Sequence, residues 1–210
     1  MRGRFITFEG SEGSGKSTQI ALLHKYLKRK GKSIVFIREP GATNIGEKIR
    51  QVLLDVKSAG MNDICETFLY MAARAQLVEE VIRPALAQGK IVLCDRFLDS
   101  TSVYQGYGNG VDLKLIESMG KAATQGVNPD ITFFFDLDAG KGLSRLRRKK
   151  DRIERRSLAY HRRVRAGYQA LAKKDPKRIK LIAVDGSIEE IHGRVVGYID
   201  QLLKIQNSKH

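Results

Sequence analysis

Gly10, Ser11, Glu12, Gly13, Ser14, Gly15, Lys16 and Ser17 satisfy the pattern G-x-x-x-x-G-K-[ST] at every fixed position. The apolar run "RFITFE" precedes the pattern and a helical periodicity follows it, so successive backbone N–H groups can converge on phosphate oxygens where a helix begins. The three glycines leave out side chains where a ligand must approach. Lys16 supplies a positive point charge for β- and γ-phosphates, and the Ser17 hydroxyl suits a Mg²⁺ ion bridging them. The expectation is a nucleoside triphosphate site, with Thr18 carrying the loop into its helix. Asp95, closing the run "KIVLCD", is the second carboxylate such a site needs to order metal and water. Taken singly, an acid at a strand end is equally a helix cap. The loop does not name the reaction, because motors, GTPases, transporters and kinases share it. No N-K-x-D base-reading motif is present, which weighs against a regulatory GTPase.

These residues must be held by elements that the apolar pattern outlines. "RFITFE", "SIVFIRE", "KIVLCD", "ITFFFDLD" and "IKLIAVD" are strand-length apolar runs. Helical patterns alternate with them, which predicts a parallel, doubly wound α/β sheet buried on both faces. Helices are expected from the phosphate loop to Gly31, over "IGEKIRQVLLD", and over "ICETFLYMAARAQLVEEVI", where Pro84 should end or kink the last. "DSTSVYQGYGNG" reads as a loop from its glycines. Helices should follow over "DLKLIESMGKAAT", on both sides of Asp151 and over "IEEIHGRVVGYIDQLL", before a frayed tail, "KIQNSKH".

The 210 residues, 42% of them hydrophobic, suffice for one substantial core, and a single domain spanning 1–210 is expected. Cys65 and Cys94 are far apart, which suggests neither a zinc knuckle nor a disulfide framework and fits a cytoplasmic protein. The four histidines show no ligand spacing and read as surface or partly packed. "MRGRFITFEG" lacks the apolar core of a signal peptide, and no run approaches the roughly 18 apolar residues of a membrane span. The formal charge of +15 calls for an anionic partner or tolerance of self-repulsion. It concentrates between Lys141 and Arg165, a stretch compatible with a solvated helical surface, with nucleic acid or with nucleotide phosphates; the loop at Gly10 favours the last.

Six segments in one order resemble the thymidylate kinase family of nucleoside monophosphate kinases over nearly the whole chain: "FEGSEGSGKST", "REPGATNIGEKIR", "FLYMAARAQLVEEVIRPAL", "DRFLDSTSVYQGYGNG", "NPDITFFFDLD", and "DRIE" followed by "RVRAGY". The resemblance implies a P-loop fold with a five-stranded parallel sheet. It also implies a short, mobile, arginine-rich lid at about 141–156, MgATP-dependent phosphorylation of dTMP to dTDP, and a homodimer.

The resemblance further assigns residues. Glu9 matches an acidic position near the acceptor sugar and the metal. Arg96 matches an arginine between donor and acceptor phosphates, where a planar, permanently charged fork holds both. Tyr70 and Arg74, four apart and on one helical face, fall where thymine is received: the ring stacks on the base and the arginine donates to O4. Ser100 and Thr101 match polar contacts to the thymine edge, and Tyr104 matches a ring crowding the sugar's 2′ position. Arg38 and Arg50 match acceptor-phosphate ligands. Arg145, Arg147 and Arg152 match lid arginines of bacterial-type relatives, and Glu12 in the loop matches that type as well. The chain departs from the usual pattern at Tyr70 (phenylalanine), Arg156 (glutamate), Asn109 (arginine), Ala42 (glycine) and Phe97 (tyrosine or histidine).

Two other readings remain at this stage. One is a kinase for another nucleoside monophosphate. The other is a nucleic-acid-binding protein retaining an ATP site, against which stands the lack of stacking aromatics other than Tyr160 in the basic stretch.

Overall fold

The computed structural model describes residues 3–147 and 149–207. Five strands, β1 (Arg4–Gly10), β2 (Ile34–Arg38), β3 (Ile91–Asp95), β4 (Ile131–Asp136) and β5 (Ile179–Ala183), form one parallel sheet in the order β2-β3-β1-β4-β5. The helices are α1 (Lys16–Arg29), α2 (Asn44–Leu54), α3 (Asp63–Leu77), α4 (Arg83–Ala87), α5 (Leu98–Thr101), α6 (Leu113–Thr124), α7 (Ala139–Ser144), α8 (Leu158–Lys174) and α9 (Ile188–Asn207). The expected α/β sheet and its five strands are all present.

Strand periodicity decides what each face does. On β1, Ile6 and Phe8 point one way and join Leu23 and Leu27 of α1 and Val195 and Ile199 of α9 in one apolar cluster. Phe5 points the other way, into a cluster with Leu77, Val78, Ile82 and Phe97. Alternation therefore delivers Glu9 to the face away from α1. A third cluster there joins Phe134 of β4 to Tyr104, Tyr160, Val164 and Tyr168. Arg38, Glu9 and Asp95 all lie at carboxyl ends of strands, the edge where open α/β sheets bind ligands.

Two sequence expectations need correction. Pro84 does not end its helix: α3 passes through a π-helical turn, Val78–Ile82, into α4, which runs past the proline to Ala87. The widened turn accommodates the missing N–H where a regular α-helix would have a broken bond. "DSTSVYQGYGNG" is largely helical, as α5 followed by a π-helical segment, Ser102–Gly108. Gly106 and Gly108 serve packing, while Gly110, at φ 84° in open space, keeps the expected loop. A Cβ at Gly108 would lie 2.5 Å from the Tyr160 ring, and one at Gly167 on α8 would lie 2.7 Å from that of Tyr107, so two glycine–aromatic contacts let the helices approach. Of the tail expected to fray, Lys204–Asn207 continue α9, while 208–210 lie outside the described residues, as do Met1, Arg2 and Arg148 of the expected lid. His161 is buried rather than superficial.

Gly167→Ala is expected to lower unfolding free energy by about 1–3 kcal/mol through overpacking against Tyr107. Urea denaturation checks this; an unchanged midpoint and slope would refute the close-approach argument.

Candidate active site

The phosphate loop joins β1 to α1 with Gly10, Gly13 and Gly15 at φ values of 143°, 68° and 86°, in the region that disfavours a Cβ. α2, α3, α6, α7 and α8 each begin on a side chain that accepts from a first-turn N–H. α1 begins on Gly15 with no such side chain, so its orphan N–H groups face the loop's concavity. Lys16 is buried and its Nζ donates to the Gly10 and Ser11 carbonyls, each at 3.0 Å. Burial, with Arg96 nearby, draws its ammonium below the ordinary lysine range. A phosphate oxygen would supply the counter-charge that these carbonyls lack. The hydroxyls of Ser11 and Ser14 are buried without hydrogen-bond partners. The loop also touches the lid's root, because Gly13 and Gly142 of α7 meet backbone to backbone where neither tolerates a Cβ.

Beside the loop, Arg96 has a left-handed φ of 70°, held by its N–H donating to the Phe8 carbonyl at 3.0 Å. Its guanidinium donates to the Glu12 carboxylate and to Ser100 Oγ (3.2 Å), and it lies 4.9 Å from the Tyr104 ring centroid. Glu9 is fully buried at 0% exposure. Its Oε1 accepts from the Phe97 N–H (2.7 Å), and Oε2 accepts from Ser100 Oγ (2.5 Å) and Tyr168 Oη (2.6 Å). Burial, then the neighbouring Asp99 charge, raise its pKa to about 7 against the opposing pull of Arg96 and the two hydroxyls.

The two carboxylates assigned to a metal differ in capacity. Asp95 Oδ1 is buried without a hydrogen-bond partner, so it has room for a metal's water. Glu9 already accepts from three protein donors. No group of three or more His, Cys, Asp or Glu side chains that could hold a metal occurs among the described residues. A Mg²⁺ ion here would therefore draw most of its oxygens from phosphates and water, as that ion usually does, with the Ser17 hydroxyl and Asp95 fitting the remainder.

A cleft of about 740 Å³ is lined by Glu12 to Thr18, Arg38, Arg50, Tyr70, Arg74, Asp95, Arg96, Ser100, Thr101, Tyr104 and Arg145. Most sequence-assigned residues thus share one space of ligand size. Arg74 is 1% exposed; its Nε and Nη2 donate to Glu39 Oε2 at 2.9 and 2.6 Å, and its guanidinium lies 5.2 Å from the Phe97 centroid. Burial raises the Glu39 pKa although Arg74 opposes it. Arg50 Nη1 donates to the Pro40 carbonyl at 2.9 Å. Arg38 makes an exposed pair with Glu47 at 3.2 Å, a contact weak enough to exchange for a ligand. The Thr101 and Tyr104 hydroxyls are buried without partners, and burial raises the Tyr104 pKa, so its hydroxyl stays protonated.

The lid arginines separate. Arg145 Nη1 donates to the Gly13 carbonyl at 3.2 Å, at the phosphate loop. Arg147 is exposed and does not line the cleft. Arg152 points away: it is 6% exposed, its Nε donates to the Leu53 carbonyl (2.7 Å), and Nη2 pairs with Glu66 at 2.6 Å. The sequence expects it among the transfer arginines; here its guanidinium lies in a buried ion pair with Glu66 and does not line the cleft.

Sequence reading missed Glu39, Tyr168 and Glu66. Glu39 was findable, since a buried arginine on α3 requires a carboxylate and "REPG" holds one in a marker segment. Tyr168 was findable on the same ground, since it closes the marker segment "RVRAGY"; Glu66 carried no local signal. Two of the departures meet each other: Arg156 Nη1 donates to Asn109 Oδ1 at 2.8 Å.

Residues 8–195 match the family model described as thymidylate kinase. A thymidylate kinase of Exiguobacterium sp. (strain ATCC BAA-1283 / AT1b) is 51% identical over 206 residues, 97% of each chain. One of Kosmotoga olearia (strain ATCC BAA-1733 / DSM 21960 / TBF 19.5.1) is 50% identical over 194 residues, covering 91% of this chain and 93% of that one. The crystal structure of thymidylate kinase from Ehrlichia chaffeensis superposes with a TM-score of 0.79 at 37% identity, covering 95% of this chain and 99% of that one.

The raised Glu9 pKa has a signed consequence. Its folded value exceeds the ordinary 4.5, so the stability it contributes is complete below about 4.5 and is lost as pH rises through about 7. Relative to the parent, Glu9→Gln should therefore gain stability progressively between pH 5 and 8 in ligand-free urea unfolding. Parallel pH profiles for the two would show that Glu9 ionises as an ordinary carboxylate.

Proposed function

The chain belongs to the thymidylate kinase family, and from that premise we propose that it transfers the γ-phosphoryl group of ATP to dTMP, yielding ADP and dTDP, with the following residues acting on the two nucleotides. The enzyme is a phosphotransferase of the P-loop type. The observation that carries the residue assignment is Arg96, whose guanidinium borders Glu12 of the phosphate loop on one side and Ser100 and Tyr104 of the acceptor side on the other. One planar fork there can neutralise donor and acceptor phosphates together.

The acceptor phosphate is already an anion, so no strong base is required. One of its oxygens attacks the γ-phosphorus in line, the bond to the β,γ-bridging oxygen breaks, and ADP leaves. Positioning and charge neutralisation do nearly all the catalytic work in such a transfer. The α1 N-terminus and loop N–H groups would cradle the triphosphate, Lys16 would exchange its two carbonyl contacts for phosphate oxygens, and Arg145 and Arg147 would close over it. Mg²⁺, when bound, neutralises β- and γ-phosphate charge, with Ser17 and water ordered by Asp95 holding it.

On the acceptor side, Arg38 and Arg50 would take the dTMP phosphate. Tyr70 would stack on thymine, and Arg74, oriented by Glu39, would direct its remaining donors to O4. Thymine presents an acceptor there and cytosine an amino donor, which separates the two bases. Ser100 and Thr101 offer further polar contacts, and Tyr104 restricts the 2′ position. Glu9 would orient this side through Ser100 and Tyr168. We also propose a cytoplasmic homodimer joined through α3, whose Phe68 is 56% exposed beside exposed Ile64. No helix among the described residues is long and apolar enough to cross a membrane.

Lys16→Met should cut kcat by at least about 10²-fold while leaving thermal unfolding unaltered, measured in a coupled ADP-release assay. Near-parental turnover would defeat the phosphate-loop assignment. Across dTMP, dUMP, dCMP, dGMP and AMP with MgATP, kcat/KM should be highest for dTMP, and a purine preference would overturn the acceptor.

A further inference from the structure

Glu66 is a fully buried carboxylate (0% exposed) on α3, outside the cleft, and the transfer chemistry leaves it without a task. A buried carboxylate persists only when paired and hydrogen-bonded. Its partners come from two other parts of the chain. Gln105 Nε2 and Asn109 Nδ2, from the π-helical segment and its end, donate to Oε1 at 2.7 and 3.2 Å. Arg152 and Arg156, from the segment linking α7 to α8, bring Nη2 atoms to Oε2 at 2.6 and 3.2 Å.

The linking segment is fastened at further points. The Arg152 N–H donates to the Leu54 carbonyl at 3.3 Å and its Nε to the Leu53 carbonyl, at the end of α2. The Arg156 guanidinium lies 5.0 Å from the Tyr160 centroid and donates to Asn109. Glu66 precedes Tyr70 by four residues and Arg74 by eight, so all three share one face of α3. The opposite end of the same segment carries Arg145, in contact with the phosphate loop.

We propose that Glu66 is a positioning residue that fastens the arm 151–156 to the acceptor-side helix, giving the segment a fixed end from which Arg145 and Arg147 meet the phosphates. Asn109 and Arg156 complete the fastening by holding each other and Glu66 at once. The proposal rests on the phosphoryl-transfer reading for its kinetic part and on geometry alone for the anchoring part.

The test removes one of the arm's cations and then keeps a different cation at the same position. Arg156 is 27% exposed in its side chain, so Arg156→Met leaves the folded core intact. Amide exchange of residues 149–157 in the ligand-free full-length chain should quicken about tenfold, with β1 and β4 unchanged, while kcat falls about tenfold and KM for dTMP moves less than about twofold. Arg156→Lys keeps a cation on the arm within reach of Glu66, and it should hold both exchange and kcat to within about threefold of the parent. Unchanged arm exchange in Arg156→Met, equal loosening of β1 and β4, faster arm exchange with parental kcat, or loosening by Arg156→Lys equal to that by Arg156→Met would each overturn the proposal. If no chain, parent included, phosphorylates dTMP while arm exchange still quickens in Arg156→Met and is spared in Arg156→Lys, the acceptor reading fails and the anchor stands.

Discussion

The buried carboxylate of Glu9 is the contact on which the geometry of the cleft depends. A carboxylate at the carboxyl end of a central strand has lost its water and must recover hydrogen bonds from the protein. Three donors meet that need: the Phe97 N–H just after β3, the Ser100 hydroxyl on α5 and the Tyr168 hydroxyl on α8. The turn that carries Arg96, the short helix that carries Ser100 and Thr101, and the long helix packed under Tyr104 are thereby referred to one pair of oxygens. The left-handed backbone of Arg96 is tolerated because Arg96 and the residue after it are both bonded to β1, Arg96 through the Phe8 carbonyl and Phe97 through Glu9.

The positive excess of the chain is organised by pairing. Arg74 rests on Glu39, Arg96 on Glu12 and Arg152 on Glu66, so the most enclosed guanidiniums are held in place by carboxylates. The degree of enclosure separates their uses. Arg74–Glu39 and Arg152–Glu66 are shut off from water, where losing one partner is costly and the pair behaves as fixed architecture. Arg96–Glu12 and Arg38–Glu47 are partly or largely exposed, so an incoming phosphate can compete with the carboxylate. A nucleotide thus meets some cations already aimed and others ready to change partner.

The α3 helix links these groups. One face carries Glu66, Tyr70 and Arg74 at helical spacing, turned toward the arm, the cleft and Glu39 in succession. Its continuation through a π-helical turn past Pro84 keeps the chain helical to Ala87, with Leu77, Val78 and Ile82 in the core.

Local chemistry made much of this legible in advance. The glycine–lysine–serine spacing identified the phosphate loop because each residue there acts through its own backbone or side chain. Continuous apolar runs identified the five strands because central parallel strands are buried on both faces. A strand end, taken with the loop, then offered Asp95, whereas Glu9 and Arg38 came from the family resemblance. Gly106 and Gly108 of "QGYGNG" misled because a glycine also permits close packing, and only the facing Leu113 side chain and Tyr160 ring distinguish that use from a turn. The partner of Arg152 was illegible for a related reason: an arginine states its charge in sequence, but the carboxylate it meets here lies 86 positions away on α3. Sequence alone determined which residues could meet phosphate and which segments could be strands, since both follow from local spacing. Tertiary structure alone decided which carboxylate each arginine serves and how far Glu9 is lifted toward neutrality, since burial and long-range pairing are properties of the packed chain.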